Sequence, residues 1–315
     1  MIRREALPDR VSVGLHVPAA AVEGLASRDD YIRFFKSAEQ LGFDAVWAED
    51  RIFHPAHLAD PFVLLTLAAA HTETLLLGTA VAVLNFRDAP VLARQLATLD
   101  HFSGGRVVAG VSLGGRPDEY AAMRGGTGGR VSRFNESVAA LRGLLSGTPQ
   151  TSSGPLFKLD GAAVRPASGA PLLIGGVVER ALRRAGRLGD GWIMAPFGTL
   201  DDFRRGWDVV RASARAAGRD PARLSAGRLI YICPDCDAAR ARSRLDAFLV
   251  GYYGRQGVVQ VDRDGLFGRP EDVASQVVAH VDAGITNLIL ALPDLDTTSL
   301  ALLADALFPA LRGRI

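Results

Sequence analysis

Residues 74–115, TLLLGTAVAVLNFRDAPVLARQLATLDHFSGGRVVAGVSLGG, hold the pattern that decides the fold. Thr74–Val83 is nearly unbroken aliphatic and β-branched sequence, which suits a strand covered on both faces rather than one left half wet. Asp88 can cap a helix whose apolar residues Val91, Leu92, Leu96 and Leu99 recur at helical spacing. Ser103-Gly104-Gly105 ends that helix, because glycine takes a left-handed turn without a Cβ penalty, and Arg106–Leu113 is a second apolar run. Strand, helix and strand within about forty residues make a βαβ unit, so the two strands run parallel.

The unit recurs in both directions. Upstream, Val11–Val17 and Asp44–Glu49 read as strands around a helix that opens at Asp29/Asp30 and closes at Gly42. Asp60-Pro61 opens another helix, with Pro at the first position where its missing N–H costs nothing. Downstream, strands are predicted at Pro171–Ile174, Trp192–Met194, Leu224–Ile232 and Asn287–Leu292. Helices are predicted at Val131–Leu145, Glu179–Leu188, Leu200–Ala217, Ala238–Val250, Pro270–Ala283 and Leu300–Leu311. Eight apolar strands, each followed by at least one helix, predict an α/β fold, a single (β/α)8 TIM barrel over residues 1–315. No linker or internal repeat divides it. Three stretches rich in Gly, Pro or Ser, at 114–130, 148–170 and 251–268, read as insertions on the C-terminal rim, the middle one as a hairpin. Long loops at that rim commonly form lids or pocket walls.

The bulk numbers exclude several classes. With 315 residues, 48% hydrophobic and 22% charged, the composition is that of a globular protein. The net charge is +2, and the basic residues are nearly all Arg, spread along helical stretches, so no nucleic-acid partner is expected. No apolar run approaches the roughly 18 residues that span a bilayer. The N-terminal MIRREALPDR is followed by no apolar run, so a cytoplasmic protein without membrane attachment is expected. Cys233 and Cys236 form one CxxC with no second pair, and no metal site is expected.

In such a barrel the chemistry sits at the C-terminal strand ends. These are His16, Glu49–His57, Ala80–Arg87, Ser112–Tyr120, Gly175–Arg180 and Met194–Phe197. Gly175-Gly176, just ahead of a helix, either presents backbone N–H groups to an anion or simply makes a tight turn. His16, His54 and His57 are candidates for acid–base work, with hydrogen-bonded structural histidines as the alternative. Phe53, Phe86, Tyr120, Met194 and Phe197 are expected to wall a pocket for a small apolar or aromatic substrate, or else to pack the rim. Arg106 lies at the opposite end of its strand and reads as structural, paired with a carboxylate such as Asp100.

GFDAVWAED (42–50), LGTAVAVL (77–84), ARQLATLDHFSGGRVVAGVSLGG (93–115) and LLIGG with ALRRAGRLGDGW (172–192) resemble the bacterial-luciferase-like superfamily, from about Val11 to about Leu311. The resemblance implies a flavin- or deazaflavin-dependent oxidoreductase on a (β/α)8 barrel. Its main implication is a monooxygenase: reduced FMN, supplied by a separate flavin reductase, reacts with dioxygen to oxidise a small organic substrate. Its alternatives are hydride transfer with a deazaflavin coenzyme and a barrel that binds flavin without turnover. By the same match, the cofactor phosphate rests on Gly175, Gly176 and Val177. A non-proline cis peptide at Ala80–Val81 props the ring system, and Ser112 faces it. Many relatives place a His where this chain has Arg51. Arginine stays protonated and is a poor base, but it can hold a peroxide, carboxylate or phosphate. The catalytic expectation is therefore Arg51 with His54 and His16, and Glu49 and Asp50 orienting Arg51. Deazaflavin sugar-phosphate dehydrogenases also carry a Glu after the fourth strand, where this chain reads Leu113-Gly114-Gly115. Arg124 and Arg130 near the rim suit a polyanionic tail. The helices bearing Phe62, Leu65 and Ala69 and Val91 and Ala97 are what relatives use for a homodimer.

Overall fold

The computed structural model describes residues 10–21, 24–254 and 257–314. Its centre is a ring of eight parallel strands: β1 (Ser12–His16), β2 (Ala45–Ala48), β3 (Leu76–Thr79), β4 (Val107–Ser112), β5 (Leu172–Gly175), β6 (Gly191–Met194), β7 (Ser225–Pro234) and β8 (Asn287–Ala291). Leu15 of β1 pairs with Leu290 of β8, Leu229 of β7 pairs with Ile289, and the ring is complete where Leu173 of β5 lies beside Gly110 of β4. Around it lie α1 (Arg28–Gln40), α2 (Pro61–His71), α3 (Ala89–Phe102), α4 (Arg130–Leu145), α5 (Glu179–Leu188), α6 (Leu200–Ala216), α7 (Pro270–Asp282) and α8 (Thr297–Ala310). The (β/α)8 barrel expected from the strand count is the fold.

Local chemistry sets the helix starts. Asp60 accepts hydrogen bonds from the Phe62 and Val63 amides ahead of α2, Asp88 from that of Val91 ahead of α3, and Ser27 and Thr199 form capping boxes at α1 and α6. Strand residues alternate in direction. Leu288 and Leu290 face the helices, whereas Ile289 and Ala291 face the barrel interior. Trp47 fills that interior between two glycines. A Cβ on Gly14 would lie 2.8 Å from Trp47 Cδ1, and one on Gly78 would lie 2.5 Å from Trp47 Cδ2 and closer still to two other ring atoms. The indole takes the room that two missing side chains leave.

The structure departs from the sequence expectations at several places. The run Thr74–Val83 is not one strand. β3 stops at Thr79, Ala80–Val81 is a cis peptide, and Ala82–Val83 resumes pairing against Val111 and Ser112 of β4. The stretch 148–170 does hold a hairpin, Gln150–Ser153 with Lys158–Ala162, but it is not on the C-terminal rim. It joins α4 to β5, and a helix-to-strand connection in this barrel emerges at the N-terminal end. Glu136 of α4 accepts hydrogen bonds from the Leu156 and Phe157 amides, and the Ser168 hydroxyl donates to Asp100, so the excursion is pinned there. At 251–268 the chain is more regular than expected. A helix runs Ala238–Tyr253, a short turn spans Val261–Asp264, and Gly265–Gly268 pairs with the far end of β7; Arg255 and Gln256 lie outside the described residues. The stretch 114–130 is a rim insertion and carries a helix, Pro117–Arg124.

Arg106 is structural, but its partner is not Asp100. Its guanidinium donates to the carbonyls of Thr72, Leu75 and Ser103, while Asp100 accepts from the Val107 amide. Both cysteines are free, Cys233 buried and Cys236 exposed. Among the described residues no helix is long and apolar enough to cross a membrane, and no cluster of His, Cys, Asp or Glu is arranged to hold a metal ion.

Candidate active site

The C-terminal mouth of the barrel opens into a cleft of about 1200 Å³. One end is built from the turn between β5 and α5. A Cβ on Gly175 would stand 3.3 Å from both Val81 methyls and 3.6 Å from Ser112 Cβ, so three residues singled out in the sequence converge on one wall. A Cβ on Gly176 would meet that of Ala181 at 2.5 Å, so only glycine lets the chain turn this tightly into α5. No side chain caps α5; the Ala181 amide donates to the Val178 carbonyl, while the Glu179 and Arg180 amides have no partner among the described residues at this positive helix end, and Val177, Val178 and Arg180 line the cleft there. Arg184 adds a second cation from the next turn, its guanidinium 5.5 Å from the Phe134 ring centroid. Arg130 enters from α4, over the Tyr120 ring. Arg130, Arg180 and Arg184 have no carboxylate partner among the described residues. Burial, then repulsion from Arg187 and Arg180, pulls the Arg184 pKa down. This end of the cleft carries positive charge that no carboxylate among the described residues answers.

The barrel-axis end is different. Glu49 follows β2 two residues after Trp47, on the inward face, and lies in the cleft floor. Its Oε2 accepts a hydrogen bond from the Tyr252 hydroxyl. Burial pushes its carboxyl up to about 7, against the pull of Tyr252 and Arg51. The Tyr231 and Tyr253 hydroxyls share a hydrogen bond of 2.9 Å beside it. His16, at the end of β1, also lines the floor, and burial pulls its pKa to about 4, so the ring is neutral near neutral pH.

Arg51 lines the cleft with its guanidinium 5.8 Å from the Tyr252 ring centroid. Among the described residues its ion-pair partner is neither Glu49 nor Asp50. The buried Glu119 lies 3.9 Å from Arg51 Nε and accepts from the Ile52 and Phe53 amides, strapping the loop after β2 to the rim helix. Asp50 is committed elsewhere: Arg87 holds both its oxygens, at 2.7 and 2.8 Å, and the Val83 amide donates to it at 2.9 Å. Both ring nitrogens of His54 are occupied. Nε2 meets the Tyr252 carbonyl at 3.2 Å and Nδ1 accepts from the Ala56 amide, which holds the ring as a neutral strut outside the cleft. His57 is exposed on a two-residue strand paired with Ala20–Ala21.

Of the expected pocket walls, Met194 and Phe197 line the cleft and Phe53, Phe86 and Tyr120 do not. Phe53 is half exposed on the loop. Phe86 and Tyr120 pack edge to face 4.8 Å apart, with the Tyr120 hydroxyl donating to the Leu113 carbonyl, so they hold the rim together. Sequence reasoning passed over Glu49 as an acid–base group and Asn135 altogether. Inward alternation from Trp47 was the available signal for Glu49; for Asn135, on a helix outside the ring, there was none.

The chain belongs to the luciferase-like monooxygenase family, whose model matches residues 6–287. It is 30% identical over 267 residues to the F420-dependent hydroxymycolic acid dehydrogenase of Mycobacterium tuberculosis, covering 82% of this chain and 74% of that protein. It is 29% identical over 327 residues to the F420-dependent glucose-6-phosphate dehydrogenase of Beutenbergia cavernae, covering 94% and 96%. Among solved structures, an F420-dependent secondary alcohol dehydrogenase in complex with an F420–acetone adduct superimposes with a TM-score of 0.82 at 22% identity, covering 96% of this chain and 99% of that one. The protein is an oxidoreductase of this family, with a site for a flavin-type cofactor.

The residues present fit such a group. Arg51 Nε and Asn135 Oδ1 are buried in the cleft wall without a hydrogen-bond partner among the described residues, which is costly unless a bound molecule or water supplies one. The uncapped helix end beside two arginines suits a phosphate, and the flat wall of Ala80, Val81 and Gly175 suits a ring face.

Proposed function

We propose that the protein is a deazaflavin-dependent oxidoreductase that exchanges hydride between its coenzyme and a small organic substrate. The observation that carries this reading is the unanswered positive charge of Arg130, Arg180 and Arg184 around the phosphate end of the cleft. FMN ends in a single phosphate, whereas three uncompensated guanidinium groups suit a coenzyme whose anionic tail continues beyond it. The F420-dependent relatives support the same choice over the monooxygenase that the family resemblance first implied. On this reading neither a flavin reductase nor dioxygen takes part.

The Glu179 and Arg180 amides and the Arg180 side chain would hold the phosphate, Arg130 and Arg184 would hold the tail, and Val81, Gly175 and Ser112 would flank the ring system. The bound deazaflavin supplies a two-electron hydride donor and acceptor. Ile193, Met194, Phe197 and Leu229 keep water from the reacting face, and Arg51 fixes a polar group of the substrate. The test is a fluorescence titration of the cofactor-free protein with FMN, FAD and the deazaflavin. Selective deazaflavin binding that weakens with added salt is expected. Tighter, salt-insensitive binding of FMN, with oxygen uptake when it is reduced, would refute the reading. We also infer a homodimer through α2 and α3, where Val63 and Val91 are exposed. A sedimentation profile of monomers at micromolar concentration would contradict it.

A further inference from the structure

Three carboxylates line the cleft: Glu49, Asp50 and Glu119. Asp50 is neutralised by Arg87 and the Val83 amide, and Glu119 by two loop amides and Arg51. Glu49 alone of the three is held by neither an ion pair nor a backbone amide. Tyr252 holds its Oε2, while Oε1 has no protein partner among the described residues and belongs to a side chain in the cleft floor. The charged and titratable groups facing it are His16 from β1, the neighbouring Asp50 and Arg51, Tyr231 from β7, and Tyr252 and Tyr253 from the helix Ala238–Tyr253. His16 is neutral, and the tyrosines are held protonated by burial, so none of them competes for the proton near neutrality.

By the family resemblance, the two places where deazaflavin sugar-phosphate dehydrogenases carry His and Glu read Arg51 and Leu113-Gly114-Gly115 in this chain, and none of these side chains can move a proton there. Yet hydride transfer to or from a carbon bearing oxygen requires that oxygen to lose or gain one. We propose that Glu49, positioned by Tyr252, is the group that exchanges a proton with the oxygen of an alcohol–carbonyl substrate pair. The proposal rests on the hydride-transfer reading above. In the oxidising direction the carbon's hydrogen leaves with its electron pair for the deazaflavin ring. The O–H bond breaks, its electrons become the second C–O bond, and its proton passes to Glu49 Oε1. Reduction reverses each movement. With burial holding the carboxyl near 7, both of its states are populated at neutral pH, as an acid–base group working in both directions requires. Oxidation needs ionised Glu49 and rises with pH through that point; reduction needs the acid and falls.

The test compares wild type, Glu49→Gln and Tyr252→Phe by two readouts. In the cofactor-free protein, the infrared carbonyl band of a protonated carboxyl is followed across neutrality. A band that vanishes with a midpoint at about 7 is expected in wild type, absent in Glu49→Gln, and moved to higher pH in Tyr252→Phe, which loses the hydrogen bond that favours the ion. In the loaded enzyme, assayed on a panel of short secondary alcohols and ketones, Glu49→Gln is expected to lose at least about 100-fold in kcat with coenzyme affinity unchanged. Unimpaired turnover in Glu49→Gln, or a band that is the same in all three proteins, overturns the role of Glu49. Wild type that fails to bind the deazaflavin overturns the underlying reading instead, and the two failures are read from different measurements.

Discussion

Replacing Gly78 by alanine should destabilise this protein strongly, because the new methyl would run into the Trp47 indole. The new Cβ would sit 2.5 Å from Trp47 Cδ2 and nearer still to two other ring atoms, where ordinary contact is nearly 4 Å. The indole is fully buried, and sliding it the other way drives it onto Gly14. Overpacking of this kind usually costs about 1–3 kcal/mol; with the ring blocked on both sides the cost approaches the roughly 3–5 kcal/mol of losing a buried large aromatic. At about 2–4 °C per kcal/mol, the thermal midpoint should fall by on the order of 10 °C. The assay is thermal unfolding of Gly78→Ala in the wild-type background and in Trp47→Leu, where the smaller side chain leaves room. The alanine penalty should shrink below about 1 kcal/mol in the second background, giving a large coupling energy. Equal penalties in both backgrounds, or an unchanged midpoint in the first, would show that the indole is not wedged between these glycines.

Three further outcomes follow from the site and its supports. Asp50→Ala strands the partly buried Arg87 and the Val83 amide, so it should cost about 3–5 kcal/mol in urea unfolding; a loss below about 1 kcal/mol would mean the pair is not buried in solution. His16 and His280, both held neutral by burial with pKa values of about 4 against an ordinary 6.5, contribute stability that is complete above 6.5 and drains away as pH falls toward 4, roughly 3 kcal/mol apiece. His280→Gln should flatten that part of the profile, and an unaltered slope would contradict its burial as a neutral ring. Arg180→Ala combined with Arg184→Ala should weaken deazaflavin binding by about 10-fold or more at low salt and by less at high salt, as expected for charges partly screened by ions; equal affinity for the variant and wild type at low salt would remove the tail from this end of the cleft.

The ring of strands was legible because each buried strand is a short aliphatic run closed by glycine, proline or a capping acid, as at Asp60-Pro61 and Asp88. The convergence of Val81, Ser112 and Gly175 was also legible, through family resemblance rather than periodicity. Pairings over long sequence separations were not. Arg87 reaches back 37 residues to Asp50, and Glu119 reaches 67 to the Ile52 amide, so the neighbours that looked like natural partners for Arg51 were already engaged. His54 reads as a base in one dimension and becomes a strut only when the Tyr252 carbonyl, 198 residues away, is set beside it. The hairpin at 150–162 was recognised but put at the wrong end, because composition signals an excursion without telling from which pole it departs. Glu49 was hidden for another reason: an acid followed by aspartate and arginine looks like surface chemistry until the inward register of β2 is known.

That hairpin lies at the pole away from the reaction, anchored by Glu136 and Ser168 and by Leu159 and Ala162 against the core, with most of its other strand residues exposed. A peptide tag, fluorophore or surface tether grafted at its tip would stand a full barrel height from the cleft. The molecule could thus be immobilised or labelled there with its entrance pointing outward and its coenzyme chemistry undisturbed.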